Sequence, residues 1–303
     1  MKVSAVLLGT LPLASLLGAC GGDTQTDGTQ VVASFYPFAY VAEQVGGSPV
    51  TVDNLTSPGV EPHDVELKPK QVGAVQTADL VIYQRGFQSA VDAAVDEADR
   101  SGEEVLDVAE VVALEEAHGD VHEGDDRAHG DLDPHSWLDP RTMVDVTREV
   151  EQRLSAADPD HAPEFRKNAK RFTDGLRRLD ADFTAGLADC RTRTIVTSHE
   201  AFHYLAERYD LTQVPIAGFD PANEPSPAQL ADISSLVRRE GITTIFTEEL
   251  VSPAIADTVA RETGADTATL DPIEGLSDRT EDETYVTLMR NNLDALRKAN
   301  SCS

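Results

Sequence analysis

The sequence predicts an α/β protein made of two parallel-sheet lobes joined by a long rigid α-helix. Three observations predict it. Short apolar runs alternate with helical patterns from residue 31 onward, as in strand–helix–strand units built round a parallel sheet. The alternation starts afresh after residue 190. Between the halves runs one apolar stripe, from Phe165 through Ala169, Phe172, Leu176, Leu179 and Phe183 to Leu187, stepping by three or four residues.

In the first lobe, residues 31–157, the strands expected are Val31–Phe35, Val50–Leu55, Asp79–Tyr83 and Glu104–Val108, with helices near Phe38–Val45, Pro69–Thr77 and Phe87–Ala98. In the second, residues 190–303, they are Thr194–Thr197, Gln213–Gly218, Thr243–Thr247 and Thr267–Leu270. Its helices are expected at Ala201–Tyr209, Pro227–Glu240, Pro253–Thr263 and Asp282–Ala299. Ser226-Pro227 and Ser252-Pro253 each read as a serine cap with proline at the first helical position. The linking segment, 158–189, predicts a helix of about 28 residues and about 42 Å. It begins after Asp158-Pro159 and stops at Cys190, long enough to run along both lobes. A coiled-coil seam is the other reading, but one short, aromatic-rich stripe supports it poorly, so a monomer is expected. Aromatics are only 5% of the chain, which predicts aliphatic cores.

The N-terminus reads as a leader. Lys2 precedes a short apolar run, Val3–Leu17, too short to span a bilayer and suited to a signal peptide over residues 1–19. It ends in Leu17-Gly18-Ala19-Cys20, which resembles a bacterial lipobox; the resemblance implies cleavage before Cys20 and acylation of its sulfur. Residues 20–30 then form a flexible tether holding the protein to the outer face of the cytoplasmic membrane. Export implies an oxidising compartment, where Cys190 and Cys302 are expected to pair. Two metal-binding thiols are the alternative, though neither cysteine has a neighbour at ligand spacing. The formal charge of −29 repels phosphate backbones and argues against nucleic acid as a partner.

Glu115 to Asp133, rich in His, Asp, Glu and Gly, has no apolar period and predicts a loop. Its His118, His122 and His129 suit either loose metal binding or a solvated acidic insert.

Four residues stand where strands should end: His63 after Pro58–Pro62, His135 within Asp133–Pro140, His199 after Thr194–Ser198, and Asp271 after Thr267–Leu270. Ligands of open parallel sheets bind at the carboxyl ends of strands. Two candidates come from each half, so a site built from all four lies in the interlobe cleft. Three imidazoles and a carboxylate suit a tetrahedral Zn²⁺, whereas Mn²⁺ prefers more oxygen.

The chain resembles the metal-binding solute-binding proteins of bacterial zinc and manganese ABC importers. The resemblance rests on Val31–Pro37, Pro58–Leu67, Asp133–Pro140, Thr197–Leu205, Glu224–Pro227, Phe246–Glu248 and Leu270–Leu276, collinear over nearly the whole mature chain. It implies a receptor that carries Zn²⁺ as cargo to an ABC permease. It places the metal ligands at His63, His135, His199 and Asp271. A histidine at 199 resembles the zinc branch; a manganese- or iron-binding receptor of the same family is the alternative. Glu61 and Glu248 stand where they could orient imidazoles, or be surface acids.

A rival from another class is spelled by His199-Glu200-Ala201-Phe202-His203, the HExxH pattern of zinc peptidases, with Glu224 downstream as a third candidate ligand. Against it, Ser198 is expected to cap the helix and leave His199 in its first turn. Glu224 precedes Pro225 and Pro227, and His63, His135 and Asp271 would have no role. A surface adhesin is a further rival, with no repeat or wall-anchor sequence to support it. The expectation is binding without catalysis.

Overall fold

The structure, a computed structural model, describes residues 28–100, 102–115 and 132–303. The signal peptide, Cys20 and the loop histidines His118, His122 and His129 lie outside the described residues.

The first lobe opens with β1 (Thr29–Ala33), α1 (Tyr36–Gly46), β2 (Val50–Asn54), α2 (Pro69–Thr77), β3 (Leu80–Tyr83), α3 (Ser89–Glu97), β4 (Val105–Asp107) and the single turn α4 (Val108–Val111). Two helices follow, α5 (Pro140–Ala157) and α6 (Ala162–Gly186). The second lobe comprises β5 (Thr194–Thr197), α7 (His203–Arg208), β6 (Thr212–Pro215), α8 (Pro227–Glu240), β7 (Thr244–Thr247), α9 (Ala254–Thr263), β8 (Asp266–Thr269) and α10 (Tyr285–Ala299). Each lobe is a four-stranded parallel sheet. The orders, β2-β1-β3-β4 and β6-β5-β7-β8, are the same fold pattern used twice. In each, the order reverses at the first strand, which opens a crevice at the carboxyl ends.

Each sheet buries two faces. One face meets its own outer helices. Val75 of α2 and Val91 of α3 pack with Val32 and Val81, and Ile233 of α8 and Val259 of α9 pack with Val196 and Ile245. The other faces share one core containing α1, α5, α6 and α10. The stripe on α6 is its spine: Phe165, Phe172, Leu176, Leu179 and Phe183 are buried, and the helix packs on α1 and α5 of one lobe and α10 of the other. It is 25 residues, about 37 Å at 1.5 Å per residue, a little shorter than the stripe implied because Leu187 already lies in its C-cap.

Three expectations need correction. The outer cores are aliphatic apart from Tyr83, but the shared core is not. Trp137, Tyr285, Phe35, Phe38, Phe165 and Phe183 are among the largest fully buried side chains, so the few aromatics are concentrated where the lobes meet. Sequence reasoning assigns no element to 140–157, yet α5 is an 18-residue helix capped by the Asp139 carboxylate, which accepts from Arg141 N–H, with Pro140 at N1. Its inward face, Met143, Val146, Val150 and Leu154, carries the helical period that identifies it. Ser226 caps α8 as expected, in a capping box with Gln229; Ser252 does not cap α9, which starts one residue later with Pro253 at N-cap.

Cys190 and Cys302 form a disulfide. Among the described residues, no helix is long and apolar enough to cross a membrane.

Candidate metal centre

The three expected histidines meet. His63 follows β2, His135 follows the loop after α4, and His199 follows β5, each beyond the carboxyl end of its sheet. Their ring centroids lie 5.3–5.9 Å apart. The fourth group brought to them is the carboxylate of Glu274. Its Oε1 lies 3.3 Å from His63 Nε2, 3.3 Å from His135 Nε2 and 3.5 Å from His199 Nε2. Two ligands of a tetrahedral ion with bonds of about 2.05 Å are separated by about 3.3 Å, so these gaps are tetrahedral edges.

Asp271 does not join this group. Its Oδ1 accepts from the Ile273 N–H at 2.8 Å, so the carboxylate braces the turn that follows β8. Its backbone is held by Asn292 of α10, whose carboxamide accepts from Asp271 N–H and donates to the Asp271 carbonyl. In that turn Ile273 is buried with φ of +58°, a left-handed conformation costly for a β-branched residue. The left-handed step swings the chain so that Glu274, three residues past Asp271, faces the imidazoles. The turn is fastened to the other lobe on both sides: Trp137 Nε1 donates to Pro272 O at 2.7 Å, and Gly59 N–H donates to Leu276 O at 2.6 Å.

Two imidazoles are oriented from behind. His135 Nδ1 donates to Asp133 Oδ1 at 2.7 Å, and His199 Nδ1 donates to Glu248 Oε2 at 2.8 Å. With the proton fixed on Nδ1, each ring turns its Nε2 lone pair to the centre. Glu248 thus stands where expected, and Asp133 is a partner that sequence reasoning missed, although it lies two residues before His135. Glu61 accepts from the backbone N–H of His63 at 3.1 Å and so fixes that loop, while the His63 ring packs edge-on against Phe87 at 4.7 Å.

The electrostatics are those of a site built for a cation. His135 Nε2, His199 Nε2, Glu274 Oε2 and Asp271 Oδ2 are buried without a hydrogen-bond partner. Burial pushes Glu274 up, but the three imidazoles outweigh it and hold the carboxyl well below its ordinary value. Burial lowers His199 and His135, but Glu248 and Asp133 respectively, with Glu274, raise both above the usual imidazole value. Burial, with Glu274 close by, pushes Glu61 up to about 8; burial likewise pushes Asp271 up to about 7, with Glu249, Glu274 and Glu248 adding to it. His135 and His199 are thus biased toward holding protons that a dication would displace.

The peptidase motif is not built as a peptidase needs it. His199 and Glu200 lie in a loop, and α7 begins only at His203. The expected cap is absent: Ser198 Oγ donates to Phe246 O. Glu200 N–H donates to Gly218 O and His199 N–H to Glu248, so the segment is tied across the strand ends and not wound into a helix. His199 faces the interlobe centre, while His203 pairs with Glu115 and Glu207.

The family model for ZnuA, "Zinc-uptake complex component A periplasmic", matches residues 31–299. The chain belongs to this zinc-uptake family. The zinc-binding lipoprotein AdcA of Streptococcus pneumoniae is 35% identical over 306 residues, covering 98% of this chain and 61% of AdcA, so the chain spans about three fifths of that relative. The high-affinity zinc uptake system protein ZnuA of Bacillus subtilis is 33% identical over 297 residues, covering 93% of each. Among solved structures, the Zn(II)-bound ZnuA-like domain of Streptococcus pneumoniae AdcA superposes with a TM-score of 0.75 at 33% identity, covering 90% of this chain and 99% of that one. The laminin-binding protein Lmb of Streptococcus agalactiae, described as having adhesin and metal-transporting activity, gives 0.79 at 31% identity, covering 90% and 99%. These family members share the two-lobe architecture described above.

Proposed function

We propose that this ZnuA-family chain is a lipid-anchored extracytoplasmic receptor. It takes one Zn²⁺ between its lobes, held by His63, His135, His199 and Glu274, and presents it to an ABC importer. The observation that carries the reading is one Glu274 oxygen lying at tetrahedral edge distance from each of three Nε2 atoms, with the four residues drawn from both lobes. Three nitrogen donors favour Zn²⁺ over Mn²⁺, which prefers oxygen. The zinc-binding names and the Zn(II)-bound structure of its relatives support the same cargo.

The geometry suits capture without turnover. A shell of four protein ligands leaves no position for a reacting water or substrate, which catalytic zinc keeps open. Because the ligands come from both lobes, the ion binds best where they approach, and it favours the closed form by its differential affinity. A permease that reads the closed surface then distinguishes loaded from empty receptor. The Leu17–Cys20 sequence supports the anchor, since acylation at Cys20 would keep the receptor near its transporter.

Titration of the mature chain with Zn²⁺ and Mn²⁺, beside a peptidase assay, tests the proposal. It predicts one tight Zn²⁺ equivalent, weaker Mn²⁺, a loss of Zn²⁺ affinity of about a hundredfold or more in His63→Ala and His199→Ala, and no hydrolysis. Zinc-dependent cleavage abolished by Glu200→Gln would overturn it in favour of the enzyme.

A further inference from the structure

We propose that Glu115, His203 and Glu207 form a second divalent-cation site, weaker than the interlobe centre and separate from it. The second histidine of the HExxH sequence has no part in the first site, yet it is placed among metal-ligating groups of its own. His203 and Glu207 are one turn apart on the same face of α7, and Glu115 reaches them from the other lobe, at the end of the segment after α4. One ligand atom from each of the three lies within 4.8 Å of the others. His203 Nε2 is 2.9 Å from Glu115 Oε2 and 3.8 Å from Glu207 Oε2, distances that bracket the edge of about 3.3 Å expected between ligands of Zn²⁺.

The frame that holds these donors is fixed. Glu115 N–H donates to Tyr204 Oη at 2.8 Å, Asp133 N–H donates to Glu115 O at 2.8 Å, and Tyr204 Oη donates to Asp133 O at 2.9 Å. Glu115 is thereby held on the residue beside His203, and Asp133 is the residue that orients His135. The side chains of His203, Glu115 and Glu207 are 20%, 39% and 63% exposed, so an ion can reach them from solvent. One imidazole and two carboxylates with water bind Zn²⁺ less tightly than three buried imidazoles, because fewer soft donors are present and the carboxylates are better hydrated when free. One imidazole and two carboxylates together attract a dication, in a chain whose formal charge of −29 already concentrates cations.

The test is equilibrium dialysis of the mature chain against Zn²⁺ alone, comparing wild type with His203→Gln, Glu207→Gln, a triple His118→Gln/His122→Gln/His129→Gln variant, and His63→Ala. Two binding steps are expected in wild type. His203→Gln and Glu207→Gln should each weaken the second step about tenfold or more and leave the first within about twofold. The triple variant should keep both steps, and His63→Ala should lose the first and keep the second, so this site is read even if the interlobe assignment fails. Glu207 is largely exposed, so its variant reports on the site even if His203→Gln disturbs α7. A single step in wild type, a second step unmoved by both substitutions, or one lost with the loop histidines would overturn the proposal.

Discussion

Glu274 and Asp271 divide two jobs that sequence alone cannot separate. Both are carboxylates just past β8, and Asp271 stands at the strand end where ligands of parallel sheets belong. What decides between them is the left-handed Ile273, whose φ of +58° turns Glu274 inward while Asp271 caps the turn through the Ile273 N–H. Backbone strain at one residue leaves no mark in composition or periodicity. The three histidines were legible because each simply follows a strand or a short loop at the carboxyl edge. Asp133 was readable in principle, as a carboxylate two residues from a candidate ligand, but only the fold shows its Oδ1 on the ring. At this scale Glu274→Gln should lower Zn²⁺ affinity about a hundredfold, because an amide is a poor ligand and the counter-charge is lost. Asp271→Asn, which keeps an acceptor for Ile273, should cost tenfold or less. Chelator competition on the two purified variants measures this, and the reverse order would assign the ligand to Asp271.

The strands and most helices were legible as elements, because buried parallel strands read as short apolar runs and their helices carry a second period. The misses have local causes. α7 begins at His203, later than its sequence suggests, because the backbone N–H groups of the preceding loop donate to the Glu248 carboxylate and to Gly218 O. α5 hides its period beneath a charged outer face carrying Arg141, Asp145, Arg148 and Glu149. The disulfide acts on elements too. It closes a stretch with a sequence separation of 112, joining the start of the second lobe to its end. Cys190 precedes β5, whereas His199 follows it, so the bridge is at the end of the sheet away from the metal centre. Paired Cys190→Ser and Cys302→Ser should cost about 4–5 kcal/mol in the chain-entropy picture, or a fall in Tm of roughly 8–20 °C, with Zn²⁺ affinity changed less than about threefold. Calorimetry with and without zinc checks both halves of that expectation.

For the molecule as a whole, the repeated strand order and the shared core were foreseeable in outline, since the α6 stripe is too long for one lobe. The interlobe fastenings were not. Trp137 to Pro272, Tyr285 to Trp137 and Gly59 to Leu276 join residues over 130 positions apart through single hydrogen bonds. The pH response is also a whole-molecule property. His135 and His199 have raised pKa values in the metal-free protein, so their imidazolium–carboxylate contacts stabilise the fold below the unfolded value near 6.5, and that contribution is lost as pH rises through the folded values. Glu274, with its pKa lowered, contributes above its ordinary value and is lost in acid. Zinc displaces the imidazole protons, so its binding strengthens as pH rises. The rise in Tm on adding zinc should therefore grow from about pH 5.5 to about pH 8, and calorimetry in buffers of different ionisation enthalpy should show more than one proton released per ion near neutral pH. A zinc effect independent of pH would show that these rings are not the ligands.

The most direct measurement is anomalous diffraction at the zinc edge from crystals grown with one equivalent of Zn²⁺. The account predicts a peak about 2.0–2.2 Å from the Nε2 atoms of His63, His135 and His199 and from a Glu274 oxygen. A main peak shared by His199 and His203, or one bound from a single lobe, would contradict it.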